Sequence, residues 1–473
     1  MTKHFTYFLL LSVTMLNCVA NAQTQIEIIN ADEISFNKKI SEDRQLLLGN
    51  VRTKHQGRYL NCDSAYYYAK ENKIEAFNNI HIWQGDTLNL KGQYLLYHGD
   101  NQLAEIHKNV VFTHKEMTLL TKQLNYNFIT EQGHFNTRAS IKNKSKSLES
   151  TKGVYYSKSE KFDFYGDVLL LDNKQSLKAD TLYYAMNTEY ASFKSNGVIE
   201  NEAYYITAEE GWIDQLNGTG FLSNKVEITQ LKDNYKLFAD SCIISHQLKR
   251  SKSYGNTLLQ LPFNDDTLYL TSDTLFTDEL THLINAYYQV SFKTKVIAGY
   301  CDSLSFDTDS NFIYLNTEPV LWLDEFQLTA DNIVLVLKDQ LIDKALLNNN
   351  SFISSELDST SINQISGINM QANFSNNELN TINVSGNGES IYYIQDDETK
   401  ETMGLNKIIC SNMEISVENR DLKSIKFLEK PDATLYPIEN ISAEQRRLKQ
   451  YKYYNKELIL NVIETKSQVH KDF

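Results

Sequence analysis

The sequence predicts an all-β chain: a repetitive antiparallel β-solenoid or open, V-shaped β-jelly roll of ~30-residue repeats, with a short C-terminal helix. Three observations predict it. Proline is rare, at 4 of 473 residues, and tyrosine is common, at 29. Continuous sheet favours that balance, because aromatic residues pack well on a pleat and proline removes a ladder hydrogen bond. A short phrase with a charge at its centre recurs at a nearly constant spacing. Within each copy, polar and apolar residues alternate with period two, the mark of a strand with one buried face.

The elements follow in chain order. Lys3, the apolar run FTYFLLLSVTML and Ala20-Asn21-Ala22 have the form of a cleaved secretory signal over residues 1–22. Cys18 offers a lipoprotein alternative, but Asn17 before it is not the small residue that such processing prefers. No later stretch approaches the ~20 apolar residues of a membrane helix. The mature chain is expected to be exported and soluble.

Residues 23–345 form the repeat array. LNCDSAYYYA, LKADTLYYAM, LFADSCIIS and LTADNIVLVL share one frame, anchored on the central acid. Asp32, Asp63, Lys91, Lys122, Lys152, Asp180, Glu210, Asp240, Asp273, Asp302 and Asp331 fit it at gaps of 28 to 33 residues. The second and fourth residues after each anchor are mostly apolar and are assigned to the buried face. Midway between anchors stand Gly49-Asn50-Val51, Asn78-Asn79-Ile80, Gly166-Asp167-Val168 and Asn196-Gly197-Val198. Gly, Asn and Asp tolerate left-handed backbone, so these words are read as turns and each repeat as strand, turn, strand, turn. One such unit cannot bury its own apolar face, whereas a stack can. The repeated charge, singular nowhere, is read as structural.

Residues 346–366 (LLNNNSFISSELDSTSINQIS) are polar and turn-rich, and are expected to be a linker or insertion. A weaker continuation of the repeat is expected over 367–435. Residues 436–473 are a tail in which Ser442-Ala443-Glu444-Gln445 has capping-box form, with a helix following through Lys456.

The mature chain keeps Cys62, Cys242, Cys301 and Cys410. Rungs lie about 4.8 Å apart, so Cys242 and Cys301, two repeats apart, exceed the ~7 Å Cα separation a disulfide spans. Buried free thiols are expected. No nucleophile elbow, zinc-protease helix or phosphate loop is present, so neither catalytic residues nor a cofactor are expected. His81, His98, His107 and His114 read as exposed strand positions rather than as a metal site. With a net charge of -14, no nucleic-acid partner is expected.

The joint recurrence of Asn30-Ala31-Asp32-Glu33-Ile34 with Gly49-Asn50-Val51, and of Lys178-Ala179-Asp180-Thr181-Leu182-Tyr183 with Asn196-Gly197-Val198, resembles the OstA-like proteins of lipopolysaccharide transport, the LptA-type periplasmic bridge. The resemblance runs from about Ile26 to Asp339. It implies a periplasmic protein associated with the outer membrane, without enzymatic activity, that binds the acyl chains of lipid A in an apolar interior. It also implies partners: other Lpt-type proteins joined by edge-strand β-augmentation, and the outer-membrane translocon. Carried onto this chain, the groove-lining residues are Leu124, Tyr126, Val154, Tyr156, Leu182, Tyr184, Leu275, Leu304 and Phe306. Two departures stand out: the array is longer than a simple bridge, and the chain lacks a further run of alternating strands for a membrane barrel. Two other readings use the same residues. One is a structural or adhesive surface solenoid with a filled core. The other is a polysaccharide-active β-helix, which needs a catalytic break in the repeat.

Overall fold

Strand follows strand through short hairpins along almost the whole chain, because almost every segment alternates apolar and polar residues. The computed structural model describes residues 24–469 apart from 40–42, 247–248, 324, 359, 376–377, 397, 400 and 419–420. The expected signal segment and Cys18 lie outside the described residues. The chain forms two compact units, residues up to 144 with 156–158, and residues 145–155 with 159 onward.

In the first unit, Glu27–Asn30 and Glu33–Phe36 both pair with Arg44–His55. The sheet then runs antiparallel through Arg58–Tyr68, Lys73–Gln84, Leu88–His98, Leu103–His114 and Met117–Asn127. It ends in a split strand, Gln132–Phe135 and Ala139–Asn143. The second unit repeats this meander from Lys146–Ser150 to the split pair Asp421–Leu428 and Asp432–Pro437.

Each long strand bends once, and the bend explains the repeat. Alternate strands carry two consecutive left-handed residues, among them Gly49-Asn50, Asn78-Asn79, Ser195-Asn196, Gly255-Asn256 and Asn349-Asn350. At each pair the register slips: Gly166 and Asp167 together oppose only Asp180, between the partners Tyr165↔Thr181 and Val168↔Ala179. This is a β-bulge, which kinks a strand without ending it. The Gly-Asn-Val words are therefore corners inside continuous strands, not turns between strands, and the anchor acid sits mid-strand at Asp63, Asp180 and Asp240 and in the break between two short strands at Asp32 and Asp331. Every rung thus has two limbs that face each other across the interior.

The acids hold these corners. Asn50 Nδ2 donates to Asp32 Oδ2 at 2.8 Å, Asn79 to Asp63 at 2.9 Å, Asn196 to Asp180 at 2.7 Å, Asn256 to Asp240 at 3.0 Å and Asn350 to Asp331 at 3.0 Å. Each clasp ties the acid of one strand to the second left-handed residue of the next. Where glycine takes the first left-handed place it is required twice over. Gly255 has φ +68°, and a Cβ there would stand 2.4 Å from Asp240 Oδ2.

Residues 346–366 are not a linker. They belong to the strands Leu341–Glu356 and Ile362–Ser375 with the turn between them. The run Asn348-Asn349-Asn350, which reads as a loop, is a corner. The later strands lengthen to 14–18 residues, which is why the period stretches there. The tail differs too. Ser442 and Gln445 do form the reciprocal box, Gln445 N to Ser442 Oγ at 3.3 Å and Ser442 N to Gln445 Oε1 at 2.9 Å, but it caps only a single 3-10 turn. The α-helix is Lys456–Val469, started by Asn455 Oδ1, which accepts from Glu457 N at 3.0 Å.

This tail lies across the outer face of one limb of the second unit. Gln364 accepts Leu448 N through Oε1 at 2.9 Å and donates to Arg446 O at 2.8 Å. Gln327 holds Lys452 O and Tyr454 N in the same way. Leu448 packs with Phe352, Ile391, Tyr393 and Leu405, while Tyr454, Ile459 and Leu460 pack on Ala298, Val320 and Trp322. Gln327 and Gln364 alternate with the inward-facing Leu328 and Ile365, so the tail covers the face turned away from the interior. Cys62, Cys242, Cys301 and Cys410 are buried free thiols. Burial pushes the Cys62 and Cys301 thiols up to about 12.

Candidate functional site

Cross-strand pairing sorts interior residues into rows, and one row decides where space is left. In the first unit, the row next to the mouth of the interior reads Tyr67, Ile74, Tyr97, Ala104, Tyr126, Gly133. Its tyrosine rings fill the gap between the limbs. Tyr97 and Tyr126 both meet Phe128, at centroid distances of 6.3 and 4.8 Å. Burial pushes the Tyr97 hydroxyl up to about 12, and Tyr126 bonds Ser157 Oγ at 3.0 Å.

The equivalent row of the second unit reads Tyr184, Ala191, Ile213, Gly220, Ile244, Ser251, Thr277 before aromatic bulk returns at Phe306. Over that stretch the rings are missing, and a cavity of about 570 Å³ opens. One wall is Ile199, Ile206, Ile228 and Leu237, which are consecutive cross-strand partners. Ile213 and Ile244 form the facing wall. The chamber is a consequence of side-chain size on an unchanged backbone repeat.

Polar groups close its mouth. Lys146 Nζ donates to Glu189 Oε2 and to Gln215 Oε1, both at 2.6 Å, and Gln215 Nε2 donates to Asp172 Oδ2 at 3.1 Å. These bonds bridge the ends of the two limbs. Tyr235 Oη donates to Glu279 Oε1 at 3.4 Å further along. Burial pushes the Tyr235 hydroxyl up to about 12 and raises Glu279 above the usual carboxylate range. Arg250, Lys249 and His246 complete the mouth. The arrangement is an apolar trough under a polar gate of both signs. It can take up an alkyl chain and leave a charged group outside.

The nine residues expected to line a groove fall into two sets. Leu124, Tyr126, Leu182, Tyr184, Leu275, Leu304 and Phe306 are buried on the inward face. Val154 and Tyr156 are not on it: Gly153 and Tyr155 are buried there, and Val154 and Tyr156 alternate with them, half-buried. The anchor is Thr151, whose Oγ1 donates to Tyr165 O at 3.1 Å at the corner, not Lys152. The same one-residue slip occurs at Glu210, where Glu209 opposes the Ser195-Asn196 corner and Gly211 and Ile213 face inward. At Lys91 the frame is two residues early, since Gln93 opposes Asn78-Asn79. None of the nine lines the chamber. The missed residues had a signal: in the corrected frame, the fourth position loses its ring at Ile213, Ile244 and Thr277 in succession.

Residues 23–180 match the family model described as OstA-like protein, which shows the resemblance read from the sequence over that stretch. No curated protein matches the chain. Among solved structures, the chain is similar to LptH of Pseudomonas aeruginosa, described as the LptA homologous periplasmic component of the conserved lipopolysaccharide transport device. That match has 13% identity over 24% of this chain and 82% of that chain, with a TM-score of 0.23.

Proposed function

We propose that this protein is a non-enzymatic periplasmic carrier in lipopolysaccharide transport that holds acyl chains in the chamber of its second unit. The observation that carries the reading is the chamber itself: about 570 Å³, walled by isoleucine and leucine and gated by Lys146, Glu189, Gln215 and Asp172. Sites for small apolar ligands commonly occupy about 300–1,000 Å³. Each methylene buried there contributes roughly 0.8 kcal/mol, while the head group stays at the mouth with both signs of charge around it. The OstA-like match over residues 23–180 supports the assignment. In this reading the inward Leu182, Tyr184, Leu275, Leu304 and Phe306 form the packed wall that continues the groove.

The same reading assigns partners. Glu27–Asn30 and Glu33–Phe36 each pair on one side only among the described residues, and Ile34 and Phe36 are exposed there. Such an edge can accept a strand from another Lpt-type protein on the way to the outer-membrane translocon. The protein would thereby contribute to outer-membrane assembly.

The test is photo-crosslinking in cells from a probe at Ile206, which faces the chamber, and at Thr207, which faces away. Lipopolysaccharide adducts at Ile206 but not at Thr207 are expected. A folded, exported protein without adducts at Ile206 would leave a closed structural solenoid as the better account.

A further inference from the structure

We infer that the first unit holds a second amphiphile site, closed here by the protein's own residues Thr24–Ile26: a collar of Arg58, His55 and Asn72 for an anionic head group, above an apolar interior for one alkyl chain. It rests on the reading of the chain as a lipid carrier and adds a distinct site with its own control.

The segment occupies the place of a ligand. Ile26 is 4% exposed and lines a residual void of about 20 Å³ with Leu60, Ile82, Tyr97 and Phe128. Its backbone spans the mouth from limb to limb. Thr24 O accepts from His55 Nε2 at 2.7 Å on one side and from Asn72 Nδ2 at 3.2 Å on the other. Ile26 N donates to Asn72 Oδ1 at 2.9 Å, and Tyr67 Oη donates to Gln25 Oε1 at 3.2 Å. Three residues thus present polar groups to a polar collar and one aliphatic side chain to the interior. They precede the first strand, which begins at Glu27, so no ladder bond holds them.

Beneath the plug lies a cation with no counter-ion among the described residues. Arg58 is 7% exposed. Its partners among the described residues are Gln102 Oε1, His55 O at 3.4 Å and the ring of Phe128 at 4.5 Å. None is a carboxylate, and Asp100 nearby is engaged by Asn72 Nδ2 at 2.8 Å. A buried guanidinium carries a desolvation cost that neutral partners offset only in part. A carboxylate or phosphate delivered on an alkyl chain supplies the missing charge, while its chain takes the place of Ile26.

The test uses two diazirine-bearing probes, a hexanoic acid and a hexyl phosphate, whose chains suit the space of Ile26 and the adjoining void, with the labelled peptides identified by mass spectrometry. Deleting Thr24–Ile26 should raise labelling of peptides containing Leu60 and Ile82 at least tenfold, and Arg58→Gln in that background should return it to the starting level. A gain with only one probe assigns the head group to that source, fatty acid or lipid phosphate. Ile26→Gly, which keeps the chain length, should give a smaller rise and serves if the deletion lowers the melting point. Unchanged labelling in a folded deletion protein, or a gain that survives Arg58→Gln, overturns the proposal. Labelling of peptides containing Ile206 and Ile228 reports the chamber separately, so failure of the carrier reading and failure of this one give different maps.

Discussion

The interior of the first unit and the chamber of the second are the same construction with different side chains. Both are meandering strands bent at clasped corners, and both put one interior row at the mouth. In the first unit that row carries Tyr67, Tyr97 and Tyr126, beside a void of about 20 Å³; in the second it passes through Ile213, Gly220 and Ile244, beside a chamber of about 570 Å³. The charges diverge in parallel. Residues 23–144 carry 15 Lys and Arg against 13 Asp and Glu, whereas residues 145–473 carry 30 against 47. What the contrast teaches is that the backbone repeat fixes the walls, and single positions within it decide whether the walls enclose core or space.

The largest expected effect comes from emptying the filled side. Tyr97→Ala removes a buried ring and leaves His55 Nδ1, now 2.7 Å from the Tyr97 hydroxyl, unpaired. A loss of about 3–5 kcal/mol is expected, as for other buried aromatic residues. Denaturant unfolding should show it, and hydrogen exchange should place it in residues 44–127. A change below about 1 kcal/mol would mean that the first interior is not a packed core.

Filling the empty side is the converse. Ile213→Tyr with Ile244→Tyr restores rings to the row, and acyl-chain labelling at Ile206 should fall at least tenfold, about 1.4 kcal/mol. The melting temperature should hold or rise. Labelling that persists would show that the chain binds elsewhere.

A smaller effect concerns the mouth. Burial raises the Glu279 pKa, with His282 opposing, so the folded state holds that proton more tightly than the unfolded chain does. The associated stability is present at low pH and lost as pH rises through the folded pKa. Raising pH from about 4 to 7 should therefore favour opening of the mouth around the buried Glu279 carboxylate, seen as faster exchange near residues 235 and 279. Glu279→Gln should abolish that dependence while leaving the first unit unchanged.

The smallest effect is shared by both regions. Asn196→Ala opens one exposed clasp to Asp180 and should cost about 0.5–1 kcal/mol, read as faster exchange at residues 195–198. Asn79→Ala should match it in the first unit. A clasp that costs nothing in either unit would leave the corners to the bulge residues alone.

The sequence carries the fold plainly and the site faintly, for one physical reason. Period-two alternation and left-handed Gly and Asn residues act locally, so LKADTLYYAM and Gly49-Asn50-Val51 announce strands and corners wherever they occur. The polar run at 348–350 misled because a corner and a loop use the same residues, and they differ only in whether a partner strand continues beyond. The helix was misplaced because a capping box stabilises any first turn, whether or not apolar residues then supply a surface to pack on. The chamber depends on the absence of side chains in one row. That absence is visible only with the frame correct to the residue, and at Glu210 the charged pair Glu209-Glu210 offered two anchors. Ile206 lies before its anchor acid and Ile228 after its corner, both on the limb where no repeated acid marks the position.

The corner clasp has a consequence for how such a protein can change in length. Acid and asparagine sit on alternate strands, so a single inserted strand would set acid beside acid and asparagine beside asparagine along the fold line. Only a pair of strands, about thirty residues, can be added or lost with every corner still matched. Growth is therefore quantised. A duplication that spans Ile199 to Ile228 would lengthen the cavity by a whole step, and one that spans Tyr97 to Tyr126 would lengthen the solid part instead.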